Sequence, residues 1–208
     1  MKALSILGIL GIFPLSLAAQ TDKDGRAYQS GDLIFQDLDC GAICDAIEAV
    51  TEGYKGAKFS HVGLVYERND SLFAIEAIGT AVQLTYLPQF LNRTTVNVHA
   101  RLQPKYTPLL ADALAYCIDH LGTPYDEAFL YDNGKYYCSE LLYDAFKYAN
   151  NNQPFFTLEP MTFKQPGTDN YYDVWIAYYQ KLNMDIPEGQ PGCNPGGLSR
   201  SDKLMILP

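Results

Sequence analysis

Two alternating runs joined by three polar residues constrain this chain more than any other feature. SHVGLVYE at 60–67 and SLFAIEAI at 71–78 flank the tripeptide RND. Successive side chains of a strand point to opposite faces, so this pattern is that of a β-hairpin. A turn around Asn69 and Asp70 sets Arg68 against Ser71, which in turn sets His61 against Ile78 and Gly63 against Glu76. His61 and Glu76 are then diagonal neighbours on one face, with Cβ atoms about 7–8 Å apart or less, a gap that long side chains bridge. A slip of one residue would send them to opposite faces.

Further strands are expected at 30–36, which carries a Gly-Asp turn, near 82–87 (VQLTYL) and at 95–102 (TVNVHARL). Short turns between them predict an antiparallel meander. Helices are expected over 43–50 and about 107–121, and again from Cys138 onward, where Leu141, Leu142, Ala145, Phe146 and Ala149 repeat at helical spacing. Beyond 150 loops dominate, with a last helix or strand near YYDVWIAYYQKL. The layout is α+β, with helices packed on one side of a curled sheet, and with no internal repeat it reads as a single domain over 20–208.

The start of the chain bears on compartment. MKALSILGILGIFPLSLAAQ has one early lysine, an apolar run too short to span a bilayer, and small residues Ser16 and Ala18 suited to cleavage. Residues 1–19 read as a secretory signal peptide without a lipid anchor, which implies a secreted or periplasmic protein with no transmembrane segment in the mature chain. A net charge of −9 disfavours nucleic acid as a partner. Five cysteines in an oxidising compartment leave one or more unpaired. Cys117 falls on the apolar face of its helix. Cys40 and Cys44 either close a small loop or are buried thiols; two cysteines four apart lack the second pair that a zinc site needs. Cys193 sits in a Gly- and Pro-rich loop.

Cys138, in KYYCSELLYDAF, stands where an amphipathic helix begins. A sulfur there meets unpaired N–H groups and the positive end of the helix dipole, both of which favour thiolate. A histidine backed by a carboxylate is a general base with a fixed tautomer, which an attacking thiol needs. Cys138, His61 and Glu76 are therefore the candidate catalytic residues, and no metal or organic cofactor is required. The backbone amide of Cys138 is the natural first oxyanion donor; Tyr137 and Tyr125 are candidates for the second and for substrate contact.

GDLIF at 31–35, SHVGLVYE, the glutamate of FAIEAIG, GTPYDEAF and YYCSELLYDAF together resemble the YiiX-like, circularly permuted branch of the NlpC-type papain-fold hydrolases. The resemblance covers about residues 30–148. It implies a permuted papain-like fold, a small antiparallel sheet against the cysteine-bearing helix, with Cys138 as nucleophile, His61 as base and Glu76 as orienting residue. Only permutation reconciles a histidine that precedes the cysteine with that spatial arrangement. The implied function is hydrolysis of amide bonds in cell-wall peptides or amino-acid conjugates. Its rivals are a lipid acyl hydrolase or acyltransferase built on the same three side chains, and a binding module without turnover.

Overall fold

The computed structural model describes residues 20–207, so the expected leader lies outside the described residues. In chain order the elements are β1 Leu33–Gln36, α1 Ala42–Val50, β2 His61–Arg68, β3 Ser71–Ile78, β4 Ala81–Tyr86, α2 Leu87–Leu91, β5 Asn97–Leu102, α3 Leu110–Asp119 and α4 Cys138–Ala149. The two-residue β6 Glu159–Pro160, α5 Asp173–Leu182, the two-residue β7 Pro191–Gly192, α6 Pro195–Ser199 and β8 Leu204–Leu207 follow.

Six strands form one antiparallel sheet in the order β4-β3-β2-β1-β5-β8. The central hairpin has the expected register, from Arg68 opposite Ser71 to Leu64 opposite Ile75, turning on Asn69 and Asp70, both with positive φ. Before Leu64, β2 continues beside β1, where His61 stands opposite Gln36. Two departures from the sequence reading concern the sheet's surroundings. β8 adds a sixth strand along β5, brought back from the far end of the chain. Helices also cover both faces: Leu33, Phe35, Val62, Leu64 and Ile75 pack against Leu141, Leu142 and Phe146 of α4, whereas Ile34, Val65 and Ala74 pack on the other side against Leu87 and Phe90 of α2. β1 is buried at every position because it lies between these two layers.

The segment near YYDVWIAYYQKL is the helix α5. Its Trp175 and Tyr179 form a third apolar cluster with Phe163 and with Ala46 of α1. Cys40 and Cys44 form a disulfide at the start of α1, which settles the choice that spacing left open. Cys117, Cys138 and Cys193 are free and buried. Among the described residues no helix is long and apolar enough to cross a membrane.

Candidate active site

Cys138 is the first residue of α4 and is 7% exposed. The helix starts there because Tyr137 is extended, with φ −93° and ψ 168°, and the third residue of the helix, Glu140, turns back to accept a hydrogen bond from Tyr137 N at 3.4 Å. Glu140 also accepts from Asp132 N at 3.0 Å, which ties down the loop before the helix. Burial pushes the Glu140 carboxyl up to about 8. The N–H groups of a helix's first turn have no partner within the helix.

His61, at the first position of β2, is 4% exposed. Its Nε2 lies 2.6 Å from Glu76 Oε2, which leaves Nδ1 for Cys138, the residue that with Glu76 acts on the charge of the ring. The structure therefore brings together all three side chains singled out from the sequence. Burial alone would lower the basicity of His61, but Cys138 and the hydrogen-bonded carboxylate of Glu76 beside it outweigh that and raise the imidazole to about 9.

Glu76 is 1% exposed and has more partners than its histidine. Arg93 grips it with two prongs, NH1 to Oε2 at 2.6 Å and NH2 to Oε1 at 2.7 Å, and the hydroxyl of Thr85 donates to Oε1. Burial pushes this carboxyl up, and the bonds from His61, Arg93 and Thr85 pull it down to about 2. Phe90 joins the parts: its ring lies 5.9 Å from that of His61 and 5.4 Å from the guanidinium carbon of Arg93. Arg93, Thr85 and Phe90 were not singled out from sequence. Nothing in their spacing marks them, although a carboxylate in the middle of FAIEAIG needs more than one neutral donor to stay charged when buried.

A cavity of about 540 Å³ opens beside Cys138. Its wall includes Cys138, Tyr125 and Tyr137, together with Phe163 and Trp175 from the long stretch after 150, but neither His61 nor Glu76. Cysteine is thus presented to the cavity while its partners stand behind it. Tyr125 is fixed by a backbone bond to Thr80 O at 2.9 Å, and burial followed by the charge of Cys138 pushes its phenol well above 10, so it remains a donor. The Tyr137 phenol accepts from Cys193 N at 3.2 Å, and Ser139 Oγ donates to Cys193 O at 3.0 Å. These two bonds clamp the C-terminal segment across the start of α4.

"Uncharacterized protein YiiX" of Escherichia coli (strain K12) is 28% identical over 141 residues, which span 65% of this chain and 65% of that relative's length. A crystal structure from Escherichia coli O157:H7, described as the metalloprotein yiiX, superposes with a TM-score of 0.68 at 22% identity, covering 86% of this chain and 96% of the other, and shows a shared fold. Residues 27–207 match the family model described as "Permuted papain-like amidase enzyme, YaeF/YiiX", and the chain belongs to that family.

Proposed function

We propose that the protein is an extracytoplasmic cysteine amidase in which Cys138 is the nucleophile, His61 the general base and acid, and Glu76 the residue that orients His61. The observation that carries this reading is the buried His61–Glu76 hydrogen bond of 2.6 Å, whose imidazole is raised by the neighbouring Cys138, with only the cysteine of the three on the cavity wall. His61 takes the thiol proton as the sulfur attacks an amide carbonyl, and the C–N bond breaks as the same proton passes to the leaving amine. Water then gives a proton to His61 and attacks the thioester; the C–S bond breaks, the acid leaves and the thiol is restored. The Cys138 amide and the Tyr125 phenol are the donors facing the oxyanion. Both the leader-like N-terminus and the Cys40–Cys44 disulfide support a place outside the cytoplasm.

The structural neighbour from E. coli O157:H7 is described as a metalloprotein. Here Cys138 and His61 offer two donors, Glu76 occupies the second ring nitrogen, and among the described residues no group of three His, Cys, Asp or Glu side chains is placed to hold an ion. The residues at this site do not fit a resident metal.

The test is amine release from a panel of short peptides and N-acyl amino acids, with lipid esters alongside. Turnover of an amide that Cys138→Ala and His61→Ala both abolish supports the reading. Cleavage confined to esters, or amide turnover that survives Cys138→Ala, overturns it.

A further inference from the structure

We infer that Arg93 is a positioning residue for the reaction: its two-pronged grip keeps Glu76 an ionised acceptor whether His61 carries one ring proton or two. The inference rests on the amidase reading, because hydrolysis through a thioester requires His61 to alternate between imidazolium and imidazole. While His61 is charged, Glu76 has a counter-ion. Once His61 is neutral, a carboxylate that is 1% exposed would hold only neutral donors, an arrangement that burial strongly disfavours. It would then draw the proton back from the bulk or pull the ring into imidazolium.

Arg93 removes that difficulty because its guanidinium keeps its charge over the working pH range. It meets both carboxylate oxygens, at 2.6 and 2.7 Å, in the planar fork geometry that lysine cannot reproduce. Arg93 NH2 also lies 3.3 Å from Thr85 Oγ1, so the hydroxyl is aimed at Glu76 by the same group. The groups acting on the His61–Glu76 pair, which stands on β2 and β3, come from three places: Cys138 at the start of α4, Thr85 on β4 and Arg93 just after α2. Among them Arg93 supplies the guanidinium, which takes no part in the proton transfers between Cys138, His61 and substrate. Its side chain is 26% exposed and forms no part of the cavity wall, so it acts through Glu76 and not on substrate.

The consequence has a definite sign. Without Arg93 the carboxylate relies on the imidazolium alone, and His61 holds its second proton to higher pH. Deacylation, which needs the neutral ring, slows, while substrate binding is untouched.

The test reads His61 directly. Iodoacetate is an anion, so its attack on Cys138 is favoured while the imidazolium is present and falls as the ring loses its proton. Rates of carboxymethylation at the Cys138 peptide are measured against pH for the wild type, Arg93→Gln and Arg93→Lys. The wild-type rate should fall at high pH near the His61 value of about 9. This limb should move up by about one pH unit in Arg93→Gln and by less in Arg93→Lys. On an amide substrate at neutral pH, Arg93→Gln should lose about tenfold in kcat with KM held within about twofold. An unmoved limb in folded Arg93→Gln, or a rise in KM at constant kcat, overturns the proposal. If near-UV circular dichroism shows that Arg93→Gln does not fold, an unmoved limb in Arg93→Lys overturns it instead. Failure of the amidase reading looks different: the wild type would show the limb and hydrolyse no amide.

Discussion

Gly63 lies directly beneath the ring of Phe90, so that a Cβ on Gly63 would stand 2.8 Å from Cε2 of that ring and 3.3 Å from Ala74 Cβ. The SHVG run thus has two functions in one strand: His61 supplies the imidazole, and Gly63 leaves room for the aromatic ring that packs beside it. Gly63→Ala would push Phe90 away from both His61 and Arg93. The expected result is a loss of about 1–3 kcal/mol in urea unfolding and a fall in kcat larger than any rise in KM. Wild-type stability and turnover would show that the ring yields at no cost.

Tyr125 gives a second prediction, on the proposed oxyanion contacts. Its phenol stays protonated beside Cys138, and removing one such donor costs about 10²-fold in kcat where it meets the developing charge. Tyr125→Phe should show that loss while Cys138 still reacts with iodoacetamide at the wild-type rate. Unchanged turnover would remove Tyr125 from the reaction.

The third prediction concerns a cluster on the same face of the sheet as His61 but over β1 and β5, which serves stability. Asp32, fully buried on the approach to β1, accepts from His99 Nε2 at 2.7 Å and from Arg101 at 2.6 and 2.9 Å, while His99 Nδ1 reaches Asp22 at 3.0 Å. Burial pushes Asp32 up, and the bonds from Arg101 and His99 outweigh it, so its folded value is lowered. Its contribution is therefore complete above about pH 4 and lost as pH falls through the lower folded value. His99 has the opposite sign. Burial lowers it, the two aspartates raise it further, and its contribution is complete below about pH 6.5 and lost as pH rises through the raised value. Unfolding measured against pH should show both slopes, and Asp32→Asn should cost about 3–5 kcal/mol and make the acid one shallower, the remainder coming from Glu76 and Asp22.

The Cys40–Cys44 disulfide closes a short ring that takes in the first turn of α1, whose Ile47 and Val50 reach the cavity wall. Loop entropy for so short a ring is about 2 kcal/mol. Replacing both cysteines by serine should lower the midpoint of thermal unfolding by about 4–8 °C and leave carboxymethylation of Cys138 unchanged. A larger loss would mean that α1 cannot form without the link.

The parts of this site that were legible in the sequence are those fixed by local periodicity. A period of two places His61 and Glu76 on one face, and the observed hairpin register follows from the turn at Asn69 and Asp70. A period of 3.6 places Cys138 at a helix start. Features set by distant packing were not legible. β8 is the run LMIL, too short and too uniformly apolar to show alternation, and it is a strand because β5 offers a free edge. The helix α2 was hidden behind the strand VQLTYL, since Pro88 at its first turn reads equally well as a break. Arg93 follows that helix in an undistinguished polar run, and only the folded hairpin shows that Glu76 lies within its reach. The cavity wall needed Phe163 from an irregular stretch and Trp175 from α5, whose place against the start of α4 is set by packing and not by its own periodicity.

The central claim is that the Cys138 sulfur becomes acylated during turnover. The most direct measurement is peptide mass analysis after acid quench of the protein reacting with an amide substrate, with hydroxylamine as the check for a thioester. The account predicts an acyl mass on the peptide that contains Cys138, removed by hydroxylamine and lost in Cys138→Ala together with turnover. Amide hydrolysis with no adduct there, or with an acyl group on Cys117 or Cys193 instead, would contradict it.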